Sequence, residues 1–421
     1  MNDLKFKTTK IAIALLAAGF IFQTINQPLP EDFEQPWKYR LVCFGAELSN
    51  IFGYVTEQLG ILHRVNVTRY SYHFAVGAFN IREESDQISV HDEIIEHLTI
   101  RVYRPMKPNK SPNKNATLPT ILFYHGGGYF VGSADTLEPV TYLMAKYTQF
   151  LVIYIEYRLI PEHRYPAAFE DSLETAKYLI KNHDKYSIDL NNLVIMGDSA
   201  GGNLATVVSQ QLIEQNITKP KLQVLIYPIL QFFDFTLPSY RQNLQKRILG
   251  SISHDNFKNF IHYFTGIEVD DTIFSNGHTT HYQKESKFAQ YVNKVFLPEK
   301  FIVNQPNMTL VNDTLGKYSE LTEILLSNKV SPLLVDDKYL SRNTPEYTIL
   351  ITAGIDMLRD DGFIYAARLK QLGKKIDHMH FENLFHGIFG LLHGPLEFSK
   401  ARILVKNVAE HVKKICLNKS N

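Results

Sequence analysis

Residues 197–201 read Gly-Asp-Ser-Ala-Gly, a Gly-x-Ser-x-Gly sequence. A serine hydroxyl is a weak nucleophile until a neighbouring base takes its proton and fixed dipoles receive the charge that develops on the substrate. This spacing serves that chemistry when an apolar strand precedes the serine and a helix follows it. The hydroxyl then stands exposed on a tight strand-to-helix turn, where only small flanking residues fit. Both conditions hold: Asn192–Met196 (Asn-Leu-Val-Ile-Met) reads as a strand, Gly201–Glu214 as a helix, and Gly202 continues the small-residue run. The helix N-terminus also favours negative charge beside the serine. A second glycine run, His125-Gly126-Gly127-Gly128, follows the apolar strand Thr120–Tyr124. Glycines let backbone N–H groups approach a ligand closely. With the N–H of Ala200 they would form an oxyanion hole for a tetrahedral intermediate. His125 is read as a brace for this loop rather than as a base.

The base and its orienting acid follow in the order serine, acid, histidine. Asp356 lies just beyond a strand ending at Thr352, and His386 beyond a strand ending at Phe381. Both are expected at the C-terminal ends of strands, where α/β sheets place their sites. Asp360 and Asp361 compete for the acid, but at the start of the next helix capping and dipole pairing suit them better. His378 and His380 compete for the base, but they fall inside the strand and read as structural. The chain has no Gly-x-x-x-x-Gly-Lys-Ser/Thr, Gly-x-Gly-x-x-Gly or His-Glu-x-x-His sequence. No cofactor and no metal are therefore expected.

The elements that must position these residues form an α/β rhythm. Strands are expected within 149–157 and at 222–227, 347–352 and 376–381, with helices at 167–181, 362–372 and 396–415. Apolar strands alternating with helices imply a mainly parallel sheet covered on both faces. Residues 94–104 alternate as strands do, 38–82 look mixed and partly helical, and Pro105–Pro119 reads as an exposed turn region. Residues 232–335 break the rhythm. They carry Phe257, Phe260, Tyr263 and Phe264 at helical spacing and read as an inserted cap, in part packing its own aromatic core.

The chain has 421 residues, 45% hydrophobic and 21% charged, with Lys+Arg 44 against Asp+Glu 43. Those values exclude wholesale disorder and give no reason to expect a nucleic-acid partner. Two cysteines, Cys43 and Cys416, rule out a disulfide scaffold and are read as free thiols. Ile11–Ile25 is the one long apolar run, preceded by Lys5, Lys7 and Lys10 and followed by no charge until Glu31. Its length suits a signal-peptide core or a short signal-anchor, and the lysines place the N-terminus in the cytosol. The uncleaved anchor is the reading taken, secretion after cleavage being the alternative. Residues 1–30 are then anchor and linker, and 31–421 the catalytic domain, with cap contributions from about 38–90 and 232–335. Asn-x-Ser/Thr sequons at Asn66, Asn115, Asn216, Asn307, Asn312 and Asn418 are candidate glycosylation sites in a lumenal body.

Together these residues resemble the hormone-sensitive-lipase-like branch of the α/β hydrolases, within it the arylacetamide deacetylase and neutral cholesterol ester hydrolase group. The resemblance runs from the N-terminal apolar segment and Pro28-Leu29-Pro30 through His125–Gly128, Tyr157–His163, Gly197–Asn203, Asp356–Gly362 and Phe385-His386-Gly387. It implies an α/β-hydrolase fold with a cap and a single N-terminal membrane anchor. Ser199 would be the nucleophile, Asp356 the acid and His386 the base, with His125, Gly126, Gly127, Gly128 and Ala200 serving the oxyanion hole. It also implies a type II protein of the endoplasmic reticulum membrane that hydrolyses lipophilic esters, and in some members arylacetamides. Within this class the alternative is a lipase for sterol or acetylated ether-lipid esters; outside it, an inactive homologue that binds a ligand. Phe130 and Ala353 stand where vertebrate deacetylases of the group carry a cysteine pair.

Overall fold

The computed structural model describes residues 28–77, 87–106, 117–244, 254–280, 283, 286–302 and 318–417. The expected anchor at Ile11–Ile25, residues 107–116 of the turn region expected at Pro105–Pro119, and the sequons at Asn115, Asn307, Asn312 and Asn418 lie outside the described residues. Among those described, no helix is long and apolar enough to cross a membrane.

Eight strands form one sheet: β1 Ile88–Ile95, β2 Leu98–Pro105, β3 Leu118–Tyr124, β4 Leu151–Glu156, β5 Ile188–Asp198, β6 Leu222–Ile226, β7 Tyr347–Ile355 and β8 Lys375–Phe385. Their spatial order is β1-β2-β4-β3-β5-β6-β7-β8. β1 and β2 are a hairpin turning at Glu96-His97, and β2 runs antiparallel to β4. From β4 to β8 every pair is parallel. The helices that matter here are α1 Pro36–Gln58, α2 Arg64–Tyr72, α3 Glu138–Thr148, α4 Ala167–Lys181, α5 Ala200–Glu214, α6 His254–Thr265, α7 Arg359–Gln371 and α8 Ser399–Leu417.

The central strands are apolar on both faces because helices cover both. Along β3, Leu122 and Tyr124 join the core beneath α4, α5 and α7. Ile121 and Phe123 join the opposite core beneath α3 and α8. This period of two assigns alternate residues to opposite layers. The helix α3 was not expected from sequence. Val140 to Ala145 are buried on every side, so the segment lacks the polar stripe that marks a surface helix. Pro139 is tolerated in its first turn, where a backbone N–H has no partner.

Between β6 and β7 the described residues hold only helices and loops, so the segment expected as a cap, 232–335, adds no strand among the described residues. Phe257, Phe260 and Phe264 of α6 are buried, and their rings meet Phe232 and Phe235. Tyr263 instead lines an open cleft. Asp360 and Asp361 hold this insertion down. Asp360 accepts from the N–H of Ser239 at 2.7 Å, and Asp361 from the N–H of Leu230 at 3.2 Å and the amide of Gln231 at 3.0 Å. Both stand in the first turn of α7, where the expected dipole pairing holds, but neither caps it: the cap position is Leu358, which bonds through its own N–H to Asp356. Cys43 and Cys416 are buried, and neither is in a disulfide.

Ile195 in β5 is fully buried directly under the helix that follows the serine. Ile195→Ala should cost about 2–5 kcal/mol of unfolding free energy, read as a lowered urea midpoint with an unchanged slope.

Candidate active site

The C-terminal ends of β3, β5, β6, β7 and β8 lie side by side, and they deliver His125, Ser199, Tyr227, Asp356 and His386 respectively. Ser199 occupies φ 54°, ψ −119°, outside the regions that L-residues favour, a strain of order 1–3 kcal/mol. Backbone bonds hold it there. Its N–H donates to Ile226 O at 2.8 Å, and its carbonyl accepts from Asn203 at 3.1 Å and Ile229 at 3.3 Å. The flanking glycines are steric necessities. A Cβ on Gly197 would sit 2.2 Å from Gly201 O, and one on Gly201 2.1 Å from Tyr124 O.

The structure brings the three residues picked from sequence into one line. Ser199 Oγ lies 2.8 Å from His386 Nε2, and His386 Nδ1 lies 3.0 Å from Asp356 Oδ2. The other Asp356 oxygen accepts from Leu358 N–H at 2.8 Å, which fixes the carboxylate plane. The Tyr227 ring packs 4.6 Å from the His386 ring. Burial pulls the His386 imidazole down, but the Asp356 carboxylate outweighs it, helped by Asp198, and leaves the ring above its ordinary value. This hydroxyl–imidazole–carboxylate line has the geometry for proton removal during nucleophilic attack.

The glycine loop departs from the expectation at Gly126 and keeps His125 as the brace it was read to be. Gly126 does not offer its N–H to an oxyanion, because that group donates to Asp198 Oδ1 at 2.8 Å. A Cβ there would lie 2.4 Å from Asp198 Oδ2, so Gly126 is needed for the approach of this carboxylate. His125 is fully buried, stacked 4.2 Å from Tyr157 and 5.5 Å from Tyr154, and burial holds its ring down at about 4. Its carbonyl accepts from the Tyr157 hydroxyl at 2.6 Å. It braces the loop and contributes no side chain to the serine. Gly127 (φ 102°) and Gly128 (φ 61°) adopt left-handed backbone beyond it. Ala200 opens α5, where a backbone N–H has no intrahelical acceptor.

Sequence reasoning passed over Asp198, Tyr157, Asn203 and Arg69 as site residues. Asp198 is buried, and burial pushes its carboxyl up to about 6 against the pull of the Gly126 N–H. An acid beside the serine, within an otherwise apolar strand, was the available signal, since a buried carboxyl demands a partner. Asn203 accepts from Tyr129 Oη at 2.9 Å and donates to Ile229 O and Val330 O, both at 2.8 Å. Arg69 of α2 donates to Phe130 O at 2.8 Å and Ile160 O at 2.9 Å and pairs with Glu162. No local sequence pattern announces these long-range bonds. His378 and His380 both lie 2.9 Å from Thr352 Oγ1, away from the serine. Of the sequons, Asn66 is half-buried on α2 and Asn216 exposed just past α5.

A cleft of about 140 Å³ opens between α1, α2 and α6, lined in part by Ser49, Asn50, Gly53, Phe130, Phe260 and Tyr263. Phe130 places its wall two residues from Gly128. Among the described residues, no three His, Cys, Asp or Glu side chains are grouped to hold a metal ion.

A family profile described as alpha/beta hydrolase fold matches residues 121–290. Arylacetamide deacetylase of Bos taurus is 33% identical over 414 residues, covering 96% of this chain and 98% of that protein. Neutral cholesterol ester hydrolase 1 of Bos taurus is 32% identical over 401 residues, covering 92% and 94%. Among solved structures, carboxyl esterase 2 of the fungus Tuber melanosporum superimposes with a TM-score of 0.59 at 20% identity, covering 80% of this chain and 89% of that one. A thermostable esterase of Pseudomonas putida gives 0.61 at 18%, covering 89% and 98%. These two structural likenesses establish the fold.

An imidazole must be neutral to accept the hydroxyl proton, so kcat/KM should fall as pH drops through the raised His386 value, above about 6.5. Asp356→Asn removes the carboxylate that lifts it, and burial then dominates. The acid limb of a pH–rate profile should move to lower pH and kcat should drop by about 10⁴; an unmoved limb would deny Asp356 its partnership with His386. Gly201→Ala should abolish labelling by a serine-directed fluorophosphonate, because two backbone carbonyls block the new Cβ. Gly45→Ala, where a Cβ meets nothing, should leave labelling intact.

Proposed function

The chain belongs to the α/β-hydrolase family that includes arylacetamide deacetylase and neutral cholesterol ester hydrolase and is an ester hydrolase, and on that premise we propose that it is a serine carboxylesterase working through an acyl-enzyme on Ser199. His386 Nε2 takes the Ser199 proton as Oγ bonds to the acyl carbon, and the carbonyl π pair moves onto oxygen. That oxyanion is received by the N–H groups of Gly127, Gly128 and Ala200. His386, now cationic and held by Asp356, protonates the leaving alcohol or amine as its bond to the acyl carbon breaks. Water deprotonated by His386 then attacks the acyl-enzyme and frees the acid. The observation that carries this reading is the single line from Ser199 Oγ through His386 to Asp356, at 2.8 and 3.0 Å. An intact line argues against the inactive ligand-binding homologue.

The substrates are lipophilic esters, with arylacetamides as a further class, in keeping with the names of the relatives. A sterol or ether-lipid esterase is the second reading, favoured by a relative named for cholesterol esters. The catalytic body sits in the lumen of the endoplasmic reticulum behind an uncleaved anchor at Ile11–Ile25. The lysine-flanked apolar run and the exposed sequon at Asn216 support that placement.

Ser199→Ala should remove fluorophosphonate labelling and lower kcat by several orders of magnitude, leaving the residue of catalysis that binding and the oxyanion donors supply. Full esterase activity in that variant would sink the proposal. A p-nitrophenyl ester series from acetate to palmitate on the same preparation separates the two substrate readings: a short-acyl optimum marks a deacetylase, a long-acyl optimum a lipase.

A further inference from the structure

Helix α1 is apolar on the wrong side for a helix that only covers a core. Trp37, Leu41, Leu48, Ile51, Phe52 and Val55 are each between 44% and 64% exposed. At 3.6 residues per turn they fall within an arc of about 100°, and no charged residue of α1 falls in that arc. Ser49, Asn50 and Gly53, which line the cleft beside Phe130, project from the opposite side of the same helix. The helix is thus a roof: polar and small residues face the cleft, and a continuous apolar stripe faces outward. Contiguous apolar surface of this kind marks a binding face.

Its occupant can be argued from where the stripe begins. The lysine-flanked apolar run ends at Ile25, and α1 starts eleven residues later with Trp37 as the first residue of the stripe. The Lys38 ammonium lies 5.9 Å from the Trp37 ring. That ammonium donates to the Glu397 carbonyl of the protein itself, whereas the exposed Trp37 ring suits the level of lipid headgroups, where an amphipathic ring is accommodated. We infer that α1 lies flat in the surface of the lipid bilayer with its stripe buried among the upper acyl chains. A lipophilic ester then moves from the bilayer into the cleft between α1, α2 and α6 without crossing water. Arg69 of α2, the helix packed against α1, bonds the carbonyls of Phe130 and Ile160 and so ties that neighbour to the loop beside the serine. The inference rests on the membrane placement proposed above.

Trp37 is the only tryptophan of the chain, so it reports directly. Full-length protein would be reconstituted in phosphatidylcholine vesicles carrying lipids brominated near the headgroup end of the acyl chain. Wild type would be compared with Trp37→Phe/Val55→Trp, whose reporter lies about 27 Å further along the helix. A docked helix gives blue-shifted, bromine-quenched emission from both positions. Leu48→Glu/Phe52→Glu, placed in the same background, should abolish quenching at position 55. In the otherwise wild-type chain the pair should lower kcat/KM for a long-chain ester dissolved in the vesicles about tenfold, with soluble p-nitrophenyl acetate hydrolysed as before.

Quenching at 37 with a red, unquenched reporter at 55 would mean that the helix stands away from the bilayer and would overturn the inference. So would a blue but unquenched reporter at 55, which would assign the stripe to another segment of this chain or to a second copy. Unchanged vesicle-ester kinetics in the glutamate pair would overturn it as well. Alkaline carbonate extraction tests the anchor separately: a protein stripped from the vesicles refutes the anchor, whatever the fluorescence says of α1.

Discussion

The turn at Ser199 joins a strand to a helix so closely that the carbonyls of Gly201 and Tyr124 occupy the space where side chains at 197 and 201 would stand. Everything else in the site is placed relative to that turn. Ser199 is held in its strained backbone by the carbonyl of β6 beneath it and by the first turn of α5 after it. The strain persists only because β3, β5 and β6 are packed rigidly between two helical layers. A serine on a loop would relax to an ordinary conformation and turn its hydroxyl away. The hydrophobic sheet is therefore the source of the serine's exposure, and its burial offsets the local cost.

A buried polar network carries that rigidity to the neighbouring loop. The Asp198 carboxylate takes the N–H of Gly126, the Tyr157 hydroxyl takes the carbonyl of His125, and the amide of Asn203 reaches Tyr129, the β6 loop and Val330 of the insertion. Each group is desolvated, so each would be costly without its partner. That cost makes the loop conformation specific. His125, read from sequence as a brace, is accordingly stacked on the Tyr154 and Tyr157 rings. The glycines divide by role accordingly: Gly126 admits a carboxylate, while Gly127 and Gly128 supply left-handed backbone.

The insertion and the N-terminal helices complete the site by different means. The insertion packs an aromatic cluster of its own and is held to the sheet by Asp360 and Asp361 at the start of α7. The N-terminal helices reach the site through the guanidinium of Arg69, which bridges α2, Phe130 and the segment at Ile160–Glu162. The cleft lies where these two additions meet.

Much of the architecture was legible in the chain alone. Apolar runs of strand length alternating with amphipathic helices specify a parallel sheet because both faces of such strands must be covered, and α4 was bounded correctly by its pattern. The candidates Ser199, Asp356 and His386 were legible because their chemistry imposes an order along the chain and a place at strand ends. The helix α3 was not, since a segment buried on all sides has no periodicity. The partners of Gly126, Asp360 and Asp361 were not legible either. The intrinsic preference of an acid at a helix start favours capping, and only packing reveals that another segment's N–H groups compete for it. What the sequence determined by itself was the local chemistry and the layering, which depend on residue type and short-range period. What the tertiary structure alone decided was which buried polar groups meet and which side of α1 faces outward, because those follow from desolvation among segments far apart in the chain.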